Sequence, residues 1–174
     1  GGFIGAYIKI LCIVSYKVAI MSGKCGKPAG ECKCKIPSMD LRVTDKIQIT
    51  GGSGMGKTHM LVNDIFLAKG SPYNSSGVRI YLCINNVSRD QPLYQKLKKE
   101  SKADVKFVKL PEDEEQEKQL FDMFKSHDGD QVIVFDDQLV EGKRSVGKRV
   151  IERVFIAGRH MGLGVILIEQ SPMT

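Results

Sequence analysis

The chain carries two hydrophobic rhythms that take turns from about residue 45 onward. Asp45–Thr50 (DKIQIT) alternates polar and apolar positions, with Ile47 and Ile49 on one side, and predicts a short strand. His59–Lys69 (HMLVNDIFLAK) repeats its apolar positions at helical spacing, and Gly70 with Pro72 closes it. Val78–Ile84 (VRIYLCI) is β-branched and apolar, a strand; Gln91–Glu100 predicts a helix; Val105–Leu110 (VKFVKL) alternates like a strand. Glu112–Lys125 begins acidic and ends basic, the polarity that suits a helix macrodipole. Val132–Phe135 (VIVF) and Val165–Ile168 (VILI) are continuous apolar runs, as expected of strands buried on both faces, and Val146–Ala157 between them reads as a helix. Regular alternation of strand and helix predicts parallel pairing through right-handed crossovers. The expected architecture is therefore one α/β domain over residues 39–174, a three-layer sandwich with a mostly parallel central sheet.

The first 38 residues break the pattern and are left outside that domain. Residues 3–21 are apolar, but Lys9 and Lys17 interrupt them. Each lysine would cost roughly 2–3 kcal/mol at a bilayer centre, which argues against a membrane anchor. Residues 22–38 (SGKCGKPAGECKCKIPS) are rich in Gly, Lys, Pro and Cys and read as a linker. Five cysteines at irregular spacing do not make a disulfide framework. Cys25, Cys32 and Cys34 lack the C-x2-C pair usual for zinc. Reduced thiols point to an intracellular setting rather than a secreted protein.

Composition narrows the function classes. With 42% hydrophobic and 26% charged residues, the 174-residue chain is neither wholly disordered nor fibrous. Trp is absent and aromatics are 7%, which argues against single-strand binding by base stacking. The net charge is +6, with the excess in the first hundred residues and a net negative stretch over 101–150. A basic front half admits a polyanionic partner.

The chemistry concentrates in two places. Gly51-Gly52-Ser53-Gly54-Met55-Gly56-Lys57-Thr58 fits G-x4-G-K-[ST], and it lies between a predicted strand and a predicted helix, the setting this phosphate loop requires. Its glycines let successive backbone N–H groups and the helix N-terminus face a phosphate. Lys57 would reach the β- and γ-phosphates, and the Thr58 hydroxyl would hold Mg²⁺. The strand Val132–Phe135 ends in Asp136 and Asp137, at the sheet edge where ligands bind in parallel α/β proteins. Asp136 would join the Mg²⁺ shell, and Asp137 would orient or deprotonate the attacking water. The next apolar strand ends in Gln170, before Ser171-Pro172, where a polar side chain could read the γ-phosphate. Arg159 would serve as a charge-stabilising finger toward a neighbouring subunit, or only cap its helix or pair with a carboxylate. His160 reads as structural. Lys143, Arg144, Lys148 and Arg149 could face DNA phosphates or form a solvated helix start. Glu112–Glu117 is expected to be a solvent face.

Taken together, GGSGMGKT, VIVFDDQL and FIAGRHMGLGVILIEQSP resemble the poxvirus-type DNA-packaging ATPases. These belong to the FtsK–HerA superfamily of P-loop motors, with relatives in large DNA viruses and in Polinton/Maverick virus-like transposons. The similarity covers roughly residues 42–174. It implies a P-loop NTPase fold, ATP and Mg²⁺ as cofactors, a homo-oligomeric ring, and translocation of double-stranded DNA into a capsid, with capsid proteins among the partners. It implies Gly51–Thr58 as the Walker A loop, Asp136 and Asp137 as the Walker B pair, Gln170 as a polar sensor, and Arg159 as a recurrent arginine. Family members continue past this last strand, so the domain is expected to be cut short at Thr174. Two other readings stand beside it. One is a different P-loop NTPase, such as a helicase-like or DNA-transfer motor or a small kinase, although no arginine-rich lid is evident. The other is a nucleotide-binding module without turnover. No N-K-x-D motif follows to read guanine.

Overall fold

A computed structural model describes residues 9–12, 41–51, 56–84, 91–136 and 145–170. Among these residues six strands form one sheet: β1 (Lys9–Cys12), β2 (Lys46–Gly51), β3 (Arg79–Ile84), β4 (Asp104–Val108), β5 (Gln131–Asp136) and β6 (Leu163–Gln170). Their order across the sheet is β1-β2-β6-β5-β3-β4. The five strands from β2 to β4 in that order are all parallel, as expected from the alternation. The segment left outside the domain contributes β1, which pairs antiparallel along the edge of β2 with Lys9 opposite Thr50 and Cys12 opposite Ile47.

Among the described residues, four longer helices cover the sheet. Helix α1 starts as an α-helix at Lys57–His59 and widens into π-helical turns over Met60–Phe66. The others are α2 (Pro92–Glu100), α3 (Glu114–Ser126) and α4 (Val146–Ala157). The chain runs from β2 through β3 to β4 in one direction across the sheet, then returns through β5 to β6. With every crossover right-handed, that reversal puts α1 and α2 on one face and α3 and α4 on the other. The core divides accordingly. Ile47, Ile49, Leu82, Val134 and Ile166 share one cluster with Leu61 and Phe66 of α1 and Tyr94 and Leu97 of α2. Cys83, Ile133, Phe135 and Val165 share the other with Phe121 and Phe124 of α3 and Val150 and Val154 of α4. This is the expected three-layer α/β sandwich.

Local chemistry sets the helix ends. Asp113 caps α3 by accepting from the Gln116 N–H at 2.8 Å, and Ser145 caps α4 by accepting from the Lys148 N–H at 3.2 Å. Pro92 opens α2, where its missing N–H costs nothing. One expectation fails at α3. Glu112–Glu115 are exposed, but Glu117 is 7% exposed. Its carboxylate faces α4, where it accepts from Arg149 Nη2 at 2.5 Å and Arg153 Nη1 at 3.2 Å. Arg149 is thus engaged within the fold. Lys143, Arg144 and the 22–38 linker with Cys25, Cys32 and Cys34 lie outside the described residues. Among the described residues no helix is long and apolar enough to cross a membrane.

Candidate functional site

The C-terminal ends of β2, β6 and β5 meet at one edge of the sheet. β2 ends at Gly51, which lies opposite Gln170, the last residue of β6. β5 ends at Asp136, opposite Ile168 of β6. β6 therefore stands between the strand that leads into the glycine loop and the strand that carries the carboxylate. Gln170 occupies the position that the sequence assigned to a sensor, on the strand next to both. Gly52, Ser53, Gly54 and Met55 lie outside the described residues, as does Asp137.

The loop re-enters the described chain at Gly56, whose φ of +83° is left-handed. Only glycine takes that conformation without strain, and it turns the chain into α1. Lys57 and Thr58 follow in the first turn, both half-buried. The first turn of α1 thus lies at the edge where β5 ends, and Thr58 Oγ1 donates to Asp136 Oδ2 at 3.4 Å. The two residues are 78 positions apart in the chain. Asp136 is 7% exposed.

A carboxylate taken this far from water needs partners. Besides Thr58, the phenol of Tyr94 donates to the same Oδ2. Tyr94 comes from the first turn of α2 and is fully buried. Burial, and then the negative charge of Asp136, push its phenol far above its ordinary pKa of 10, so it stays a donor. No motif in the sequence marked Tyr94. Its helical spacing with Leu97 predicts a core aromatic, and only the packing of α2 against α1 and β4 shows what its hydroxyl meets.

This arrangement fits a magnesium ion. A hydroxyl and a carboxylate are hard oxygen donors, and Mg²⁺ typically takes one or two protein oxygens, with phosphates and waters completing its shell. Thr58 and Asp136 would hold it.

Arg159 is elsewhere. It is exposed on the turn Gly158–Met161, just before β6 begins at Leu163. Leu163 pairs with Gln131, the first residue of β5, whereas Asp136 is its last. Five strand residues, about 17 Å, separate those two levels. Arg159 thus sits toward the opposite edge of the sheet and is not brought together with Lys57, Thr58 and Asp136. His160 is also exposed there. No protein-family model matches this chain, and a comparison with curated proteins likewise finds no match.

Proposed function

We propose that this chain is a Mg²⁺-dependent ATPase of the genome-packaging type, which couples ATP hydrolysis to translocation of double-stranded DNA as part of a homo-oligomeric ring. The observation that carries the ATPase reading is the meeting of Thr58 and Asp136 within 3.4 Å at the start of α1. The DNA-motor reading draws on the resemblance of the three motif stretches and on the basic front half.

In this reading the backbone N–H groups of Gly51–Gly56 cradle the phosphates, and the Lys57 ammonium draws charge from the β- and γ-phosphates. Mg²⁺, which Thr58 and Asp136 would hold, would supply charge neutralisation for phosphoryl transfer. Asp137 orients the attacking water and accepts its proton. Gln170 contacts the γ-phosphate and reports its loss to β6. Arg159, at the far edge, serves a neighbouring subunit's site, where an arginine stabilises the charge of the transferring phosphoryl group.

The test is phosphate release from ATP and Mg²⁺ by the full chain, with and without long double-stranded DNA. The full chain is used because β1 belongs to the sheet. Hydrolysis that DNA stimulates and that Asp137→Asn abolishes is the expected result. Turnover indifferent to DNA would refute the motor. Nucleotide binding without turnover in either condition would refute the ATPase and leave a binding module.

A further inference from the structure

Tyr94 carries a hydroxyl where a phenylalanine would fill nearly the same space. It sits in the core cluster with Ile84, Leu97 and Val134. A buried phenol costs free energy unless it is bonded, and here its partner is a carboxylate that Thr58 also contacts. A second contact ties the same helix to the other arm of the site. Lys96 Nζ on α2 donates to Asn63 Oδ1 on α1 at 2.6 Å. Helix α2 is thereby bonded both to Asp136 and to the helix that carries Thr58.

A carboxylate turns easily about its terminal torsion, where the energy wells are broad. Two hydroxyls converging on one oxygen remove that freedom. We propose that Tyr94 is a positioning residue whose hydroxyl fixes the Asp136 carboxylate beside Thr58, and so sets how strongly Mg²⁺ tightens nucleotide binding. This rests on the reading of Thr58 and Asp136 as Mg²⁺ holders. Tyr94 itself would touch neither metal nor phosphate. Residues that orient a metal ligand from behind typically change metal affinity 10- to 100-fold when removed.

The experiment titrates the full chain with N-methylanthraniloyl-ADP, once with Mg²⁺ and once with EDTA, and takes the ratio of the two dissociation constants. In Tyr94→Phe that ratio falls at least about tenfold, while affinity in EDTA stays within about twofold of wild type. A ratio kept within twofold overturns the proposal and leaves the ATPase reading intact. A wild-type chain without any Mg²⁺ enhancement overturns both. Leu97→Ala loosens the same helix but keeps the hydroxyl. It should lose stability and keep the ratio, and an equal loss of ratio would reduce Tyr94 to a structural role and overturn the proposal. A measurement on the wild type does not depend on the variant's folding. Adding Mg²⁺ to the ADP-bound chain should slow amide exchange over residues 94–97 and leave α3, on the other face, unchanged. Equal exchange in α2 with and without Mg²⁺ contradicts the proposal.

Discussion

Gly164→Ala is a one-carbon change whose cost follows from the geometry. Gly164 lies at the start of β6, where residues 42–45 cross it. A Cβ there would stand 1.8 Å from the Val43 carbonyl oxygen and 3.0 Å from that of Asp45. Ordinary contact is about 3.4 Å, so the backbone of 43–45 would have to retreat by about 1.6 Å. No flexible side chain can give way instead. That backbone accepts the Val165 N–H at the Asp45 carbonyl (3.1 Å), and the Tyr73 hydroxyl at the Arg42 carbonyl (3.3 Å). Overpacking costs about 1–3 kcal/mol, and a buried N–H left without its acceptor costs about 1–3 kcal/mol more. The expected loss is about 4 kcal/mol, a large share of the stability of a domain this size. With a urea slope of about 2 kcal/mol/M, the unfolding midpoint falls by about 2 M. Gly77→Ala serves as control, because a Cβ there meets nothing within 4 Å. A Gly164→Ala midpoint within about 0.5 M of wild type, or unchanged amide protection at Val165, would refute the reasoning.

Two further outcomes follow from the same structure. Lys57→Ala should remove measurable binding of fluorescent ADP or ATP at micromolar concentrations while leaving the urea midpoint near that of wild type, and binding that survives the change would separate the glycine loop from nucleotide recognition. Glu117 supplies a pH dependence. Hydrogen bonds from Arg149 and then Arg153, working against desolvation, hold its carboxyl below its ordinary value of 4.5. A carboxyl with a lowered folded-state pKa contributes stability above its unfolded value, and that contribution disappears as pH falls through the folded value. The midpoint difference between wild type and Glu117→Gln should therefore stay constant from pH 8 to 6 and shrink below about pH 4.5. A difference that persists undiminished at pH 3 would contradict the ion-pair account.

Much of the fold was legible because its evidence is local. Val132–Phe135 and Val165–Ile168 are apolar throughout because β5 and β6 are interior strands, covered on both faces. Asp113 and Pro92 mark helix starts by chemistry that acts within one turn. Glu117 was not legible. An acidic run resembles a solvated face, and its last member turned inward only because α4 brings Arg149 and Arg153 against it. β1 was hidden for a related reason: a short apolar stretch has no period that says which edge it will join.

The candidate site divides along the same line. A phosphate loop of the proposed kind must be contiguous, because adjacent N–H groups would wrap one phosphate, so Gly51–Thr58 could be read directly from the chain as a candidate. The Asp136 strand end could be placed at the correct sheet edge because parallel strands all point one way. The strand order was decided only when the chain doubled back after β4, setting β6 between β2 and β5. That reversal aligned Gln170 with Gly51, carried Arg159 toward the opposite edge, and laid α2 where the Tyr94 hydroxyl reaches Asp136. Sequence determined which residues had the chemistry to hold a phosphate and a cation. Long-range pairing, which leaves no local trace in the chain, decided which of them stand together.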